Sequence, residues 1–551
     1  MAVAVLLAAA VLLWGERVVA GHHLLQGDMV RLHLHHLRNA LVAFPLFLAW
    51  LEFSRARPVA RPLDRLRAWW LTSRAPLFIA PAVFVGLVLA VTFLGFSALP
   101  KGDALWCFFQ TKIFALGRLS VPAPVYPEFF WARSIFHDGR WFSYTSPGHS
   151  LVLLPGYLLG ATWVLGPVAA VAFVWLAGQL GRTAFGSEGE RISLLLVAVS
   201  PMAIVLFASQ DFHITSLVFG CLALYLLTRT RADWPVSVAA GLCLGMMFLA
   251  RPLTAIGFGL PLMVYAVIKL RRRSALFFLA GAAMVALHLL YNRHLTGDWL
   301  TFPYQLMGKE HGVGFAPDFG VATFGLQGHS PLKTLVNLGY NTFALNLQLF
   351  GWLLVSAMFV PFGFSEGSGR RNWPLWSSAI GLVVAYAFYW FHGTTPWGAK
   401  YWSEALPFLV VFTAGGIRNA GPLLERWFSC RKDLLPRALA FLMLYSLLVV
   451  LPTDISAIRR WRETPALANS VKAAGLHNAL VFIADPDRPA GLSYTSGFML
   501  TDPLLGGVVV YARDLGPDEN RRLRLLYPDR SAWLYDLYDD ELAPVRDSSS
   551  P

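Results

Sequence analysis

Two aspartates stand at the ends of long apolar runs. Asp103, in Leu99-Pro100-Lys101-Gly102-Asp103, follows the run over 76–97, and Asp211, in Gln210-Asp211-Phe212-His213, separates the runs over 194–209 and 214–227. An ionisable group at mid-bilayer costs about 2.5–3.5 kcal/mol, so those that are retained tend to serve a function, although a helix end lowers the cost and a solvated turn is the plain alternative for each acid alone. Two carboxylates at one depth could share a divalent metal ion, or one could act as general base while the other positions it. Three cations, Lys400, Arg251 and Arg293, lie in turns otherwise free of basic clusters. A lipid phosphate suits such exceptions, and a snorkelling anchor is the competing use. Beside these groups Tyr144, His149, His213, His392 and Tyr401 are the candidate lining of a substrate cavity.

The elements that must position these groups follow from composition. The chain has 551 residues, of which 56% are hydrophobic and 14% charged, and its mean hydropathy is +0.53. A soluble chain is nearer 45–50% apolar and about 25% charged, so a polytopic membrane protein is expected. The 40 Phe, 20 Trp and 17 Tyr exclude a disordered chain. The net charge of +13 comes from 45 Lys and Arg against 32 Asp and Glu. These basic residues sit in short clusters between apolar runs, a pattern that orients helices, so no nucleic-acid partner is expected. The four cysteines are too few for a disulfide framework.

A span needs about 20 apolar residues, and Lys and Arg mark the cytoplasmic side. Clusters around 55–74, 182–191, 229–231, 269–273, 370–371 and 426–437 can share that side, leaving 99–150, 210–213, Arg251-Pro252, 291–340 and 392–404 outside. The result is an all-α polytopic protein of about 11–13 transmembrane helices. Residues 1–75 form an N-terminal membrane hairpin and basic loop, with 2–14 read as a first membrane helix, since the features of a cleaved signal peptide are weak there. Residues 76–453 form the transmembrane module with a large outer loop over 99–150. The stretch 150–181 is read as tilted or re-entrant, broken at Pro155-Gly156. The aromatic residues of the outer loop, among them Trp106, Phe109, Trp131, Trp141 and Tyr144, suit helices lying in the interface plane over a lipid tail. Residues 454–551 carry scattered charge and short β-rich runs, giving a small soluble α/β domain on the outer side. His22, His23, His33, His35 and His36 match no zinc arrangement and read as a polar loop.

The order of features, Gly102-Asp103 after a core helix, an aromatic outer loop closing in Tyr-x-x-Pro-Gly (Tyr144 to Gly148), Arg251-Pro252, Gly-x-Lys-Tyr-Trp before Leu-Pro (Gly398 to Pro407) and an outer C-terminal domain, resembles the GT-C superfamily of glycosyltransferases. The nearest branches are the protein O-mannosyltransferases and aminoarabinose transferases. The resemblance implies sugar transfer from a polyprenyl-phosphate donor to a glycan, lipid or protein acceptor on the outer face of the inner (plasma) membrane. Asp103 then matches the acid at the reaction centre, Asp211 is a second acid, and Lys400 pairs with the donor phosphate. The sequence departs from the superfamily in having Asp103-Ala104 for an acidic pair and Ser146-Pro147-Gly148-His149 for a His-Pro-Pro type signature, so a divalent metal cofactor at Asp103 and Asp211 stays open. The competing class is a transporter or lipid flippase, which would show inverted repeats and mid-helix charges.

Overall fold

The computed structural model describes residues 24–99, 102–228, 233–322, 325–353, 355–395, 398–428, 434–459, 463–484 and 494–545. The expected helix over 2–14, His22, His23, Arg229, Arg231, Cys430 and the tail from 546 lie outside them. The chain forms two compact units that interleave along the sequence. One comprises Met1–Gly95, Leu165–Val285 and Lys309–Ile458, the other Phe96–Val164, Ala286–Gly308 and Arg459–Pro551.

The first unit is built of apolar helices. Among the described residues, four stretches are long and apolar enough to cross a membrane, Pro76–Leu94, Thr162–Ala198, Pro252–Thr296 and Leu434–Arg459, or up to six if each of two bent pairs is one span. That is fewer than the 11–13 expected, and chain geometry explains part of the difference. At 1.5 Å per residue, the 45 residues of Pro252–Thr296 would reach about 67 Å, twice the hydrocarbon thickness. Helix geometry in fact stops at Arg271, whose φ is +52°. The helix Leu165–Ala198 breaks at Gly186, where φ is 74° and ψ −165°, a conformation that favours glycine. Its two arms fold back on each other, because a Cβ on Gly178 would meet Leu194 Cδ2 at 2.9 Å. This turn lies between Arg182 and Arg191, where the charge pattern expects one. Trp234–Ala250 and Trp373–Ala387 are apolar but have only 17 and 15 residues.

Two local expectations are corrected. The break after residue 150 falls at Gly160 (φ +67°) and not at Pro155-Gly156, since the helix Pro147–Leu158 runs through Pro155. Pro147 opens that helix, where its missing N–H costs nothing. His33 and His36 are buried in the helix Leu24–Phe53 and do not lie in a polar loop; His36 Nε2 is 2.9 Å from Asp454 Oδ1.

The second unit has a different texture. Its C-terminal part is a four-stranded sheet: Ala479–Ala484 runs parallel to both Val509–Arg513 and Ser531–Asp536, and Glu541–Pro544 pairs antiparallel with the last of these. The helices Glu463–Ala473, Thr495–Leu500 and Pro517–Leu526 complete this small α/β domain. The aromatic loop does not lie open to lipid as expected. Trp106, Phe109, Phe129, Phe130, Trp141 and Phe142 are buried in one core with Phe498 and the central strand; Trp141 and Phe142 reach it from a short antiparallel sheet (Ser134–His137 with Arg140–Ser143), and Trp106 and Phe109 from the helix Asp103–Ala115.

Candidate functional site

The first unit places two opposed ion pairs around one aromatic ring. Pro201–Ala208 and Phe212–Thr228 meet at 114°, and the turn between them holds Gln210 at φ +57°, backbone strain of the kind that clusters at functional sites. The turn carries Asp211, whose Oδ1 accepts from the His213 amide at 3.3 Å. Its Oδ2 is 2.7 Å from Lys400 Nζ, with both side chains buried. Lys400 opens the 3-10 turn Lys400–Ala405, which carries Glu404 as its next-to-last residue, just before the helix Leu406–Phe428. Arg251 sits where Trp234–Ala250 gives way to Pro252–Leu270. Its guanidinium lies 4.4 Å from the Phe212 ring centroid, and Lys400 Nζ lies 5.2 Å from the same ring. Arg251 Nε is 3.9 Å from Glu404 Oε1 and donates to Thr254 Oγ1 at 3.0 Å; Tyr386 OH is a further partner.

Glu404 is buried to 1% exposure. His213 Nδ1 is 3.0 Å from its Oε1, the Ser216 hydroxyl donates to the same oxygen, and Ser403 Oγ donates to Oε2 at 3.3 Å. Tyr401 stacks on His213 at 5.6 Å. Burial pushes the Glu404 carboxyl up to about 7, against the opposing pull of Arg251 and the Ser216 hydroxyl. Near neutral pH this carboxyl can therefore take or release a proton. The sign of the linkage follows from the raised value. The folded state holds a proton that the unfolded chain releases near 4.5, so this group's stability penalty is absent below about 4.5 and complete above about 7. Glu404→Gln is expected to flatten the fall in melting temperature across that window, as read by thermal unfolding at a series of pH values. An unchanged pH profile would show that Glu404 does not titrate there.

An apolar hollow of about 220 Å³ is lined by Leu345, Ala379, Val383, Trp402, Ala405 and Phe408 among others, so Trp402 and Ala405, close to Glu404 in sequence, form part of its wall. It exceeds the roughly 150 Å³ of an apolar cavity that takes benzene. A second space of about 10 Å³, lined by Asn337, Asn341, Tyr386 and His392, is the size of one water. His392 thus borders a water-sized space and not the larger hollow.

In the second unit Asp103 is the first residue of the helix Asp103–Ala115, where the helix dipole favours negative charge. Tyr144 OH donates to Asp103 Oδ1 at 3.1 Å. Burial and the Asp103 charge raise the Tyr144 phenol well above its usual range, so it stays a donor. The strand end before Tyr144 is tied to the Asp103 helix, since the Ser143 amide donates to Gln110 Oε1 at 3.0 Å. Lys112, on the same helix, donates to the Met499 and Thr501 carbonyls at 2.7 and 2.8 Å. The C-terminal domain thereby braces the helix that carries Asp103. His149 is buried in the helix Pro147–Leu158, and Arg293 is exposed in the last turn of Ser274–Thr296.

Of the residues singled out from the sequence, Asp211, Lys400, Arg251, His213 and Tyr401 meet in the first unit, and Asp103 and Tyr144 meet in the second. Glu404 is the one that sequence reasoning missed. Its signal was an acid two residues before Leu406-Pro407 and the apolar run that follows. Among the described residues no group of three or more His, Cys, Asp or Glu side chains is arranged to hold a metal ion.

No protein-family model matches the sequence, and comparison with curated proteins gives no match. Solved structures do match. ArnT from Cupriavidus metallidurans bound to undecaprenyl phosphate superposes with a TM-score of 0.54 at 13% identity, covering 83% of this chain and 92% of that one. The apo state of the same protein gives 0.52 at 15% identity, over 84% and 94%. These likenesses show the fold: over most of its length the chain is folded as ArnT is, with a small α/β domain at its C-terminus.

Proposed function

We propose that this protein moves a sugar from a polyprenyl-phosphate donor to an acceptor on the outer face of the inner membrane. The observation that carries the reading is the quartet of Asp211, Lys400, Arg251 and Glu404, two cations held by two acids, in which Lys400 and Glu404 share their short turn with Trp402 and Ala405 of the hollow's wall. A lipid phosphate has this dual character, with an anion at one end and hydrocarbon at the other. The undecaprenyl phosphate bound to ArnT belongs to the same chemical class. Lys400 and Arg251 would meet the donor phosphate. Its arrival adds negative charge beside Glu404, which raises the affinity of that carboxyl for a proton and frees Arg251 for the phosphate. Asp103 would accept the proton of the acceptor hydroxyl as that oxygen attacks the anomeric carbon, with Tyr144 fixing the carboxylate. The phosphate would leave on its lipid.

Narrowing the hollow tests the lipid half of this reading. Ala379→Phe is expected to weaken the binding of undecaprenyl phosphate several-fold, read by native mass spectrometry of the purified protein, while the melting temperature holds. Equal binding by both proteins would remove the hollow from the donor site.

A further inference from the structure

The basic cluster over 55–74 reads at first as a topology signal, but the structure gives it a specific form. Arg57–Thr72 is a helix with Pro58 in its first turn, set at 93° to the apolar helix before it. Val59, Leu63, Leu66 and Trp70 recur at helical spacing and, with Pro62 and Trp69, form one apolar stripe. Half of that stripe is exposed, Pro62 with Leu66 at 57% and Trp69 at 41%, and Val59, Leu63 and Trp70 are half-buried. The rest of the circumference carries Arg61, Arg65 and Arg67, with Arg74 just beyond the C-terminus, all exposed. Asp64 is the only acid between residues 53 and 102. Among the described residues none of these four arginines has an ion-pair partner.

The helix is tied down at one end. Arg191 Nε donates to the Ser73 carbonyl at 3.1 Å, and Trp70 Nε1 donates to the Arg191 carbonyl at 3.2 Å. The remainder has a half-exposed apolar stripe, tryptophans and uncompensated arginines, which together are the features of a helix lying in a membrane interface with its cations among headgroups. A soluble surface would leave the stripe in water, and a membrane span would bury the arginines in hydrocarbon; only the interface satisfies both faces.

We propose that Arg57–Thr72 is an interfacial helix that binds anionic phospholipid headgroups through Arg61, Arg65 and Arg67, a lipid site separate from any donor site. Each arginine near an anionic surface contributes about a factor of five, so three contribute on the order of 100-fold.

The full-length protein, purified in neutral detergent, would be given phosphatidylglycerol or phosphatidylcholine, with bound lipid counted by native mass spectrometry and stability read by thermal melting. Preferential binding and stabilisation by phosphatidylglycerol are expected, weakening as salt is raised. The triple variant Arg61→Gln, Arg65→Gln, Arg67→Gln is expected to lose the preference, and the triple lysine variant to keep most of it, which separates lost charge from lost folding. Excess inorganic phosphate is expected to leave the lipid bound. Equal binding of the two lipids, an undiminished preference in the glutamine variant, or displacement by phosphate alone would each overturn the proposal. Sugar-transfer activity is not read in this experiment, so its failure is distinct from failure of the functional assignment.

Discussion

Asp103→Asn is expected to fold and melt like the parent protein and to lose about 10²–10⁴ in turnover, the usual contribution of a positioned general base. Asn keeps an oxygen that can accept the Tyr144 hydroxyl, now 3.1 Å from the carboxylate, so the local structure is preserved while the basicity goes. Tyr144→Phe separates positioning from basicity. It removes one hydrogen bond, worth about 0.5–1.5 kcal/mol net, and should lower activity by less than the Asn variant does. Turnover of a polyprenyl-phosphate sugar measured beside thermal unfolding decides the matter. Parental turnover in Asp103→Asn would remove the carboxylate from the chemistry.

The second large effect concerns the Lys400 and Asp211 pair. With both side chains under a tenth exposed and 2.7 Å between charged atoms, Lys400→Met leaves Asp211 buried without its cation, which typically costs about 3–5 kcal/mol. Replacing both residues, as Lys400→Met with Asp211→Asn, should recover most of that stability, because a buried pair is roughly neutral against a well-packed uncharged replacement. Activity should stay low in both variants, since the cation for the donor phosphate is gone in each. Thermal melts of the two single variants and the double variant would show this coupling. A single Lys400→Met variant as stable as the parent would mean that the pair is not what holds the turn.

Most residues of the candidate site were legible from their type and place. Asp103, Asp211, Lys400 and Arg251 each interrupt apolar sequence, and an interruption in membrane-length sequence is a one-dimensional signal. The turn between Arg182 and Arg191 follows from charge, and the strand Ala479–Ala484 from a β-rich run in a polar region. Partners were not legible. Lys400 is expected beside a donor phosphate, and its ammonium is also held by Asp211, a contact that only tertiary packing creates. Glu404 escapes a sequence reading because only tertiary packing brings His213 and Arg251 to it. The aromatic loop failed for a related reason: residues that can line a lipid interface are also those that fill a core, and composition cannot distinguish the two uses. Trp106 and Trp141 became core residues because strands and helices absent from any simple periodicity folded over them.

Incubating the purified protein with a panel of polyprenyl-phosphate sugars together with glycan, lipid and protein acceptors, and measuring release of the free lipid phosphate, is the most direct test of the whole assignment. At least one donor should be consumed by the parent protein, with release lost in both Asp103→Asn and Lys400→Met. Consumption of no donor, or release undiminished by either substitution, would contradict it.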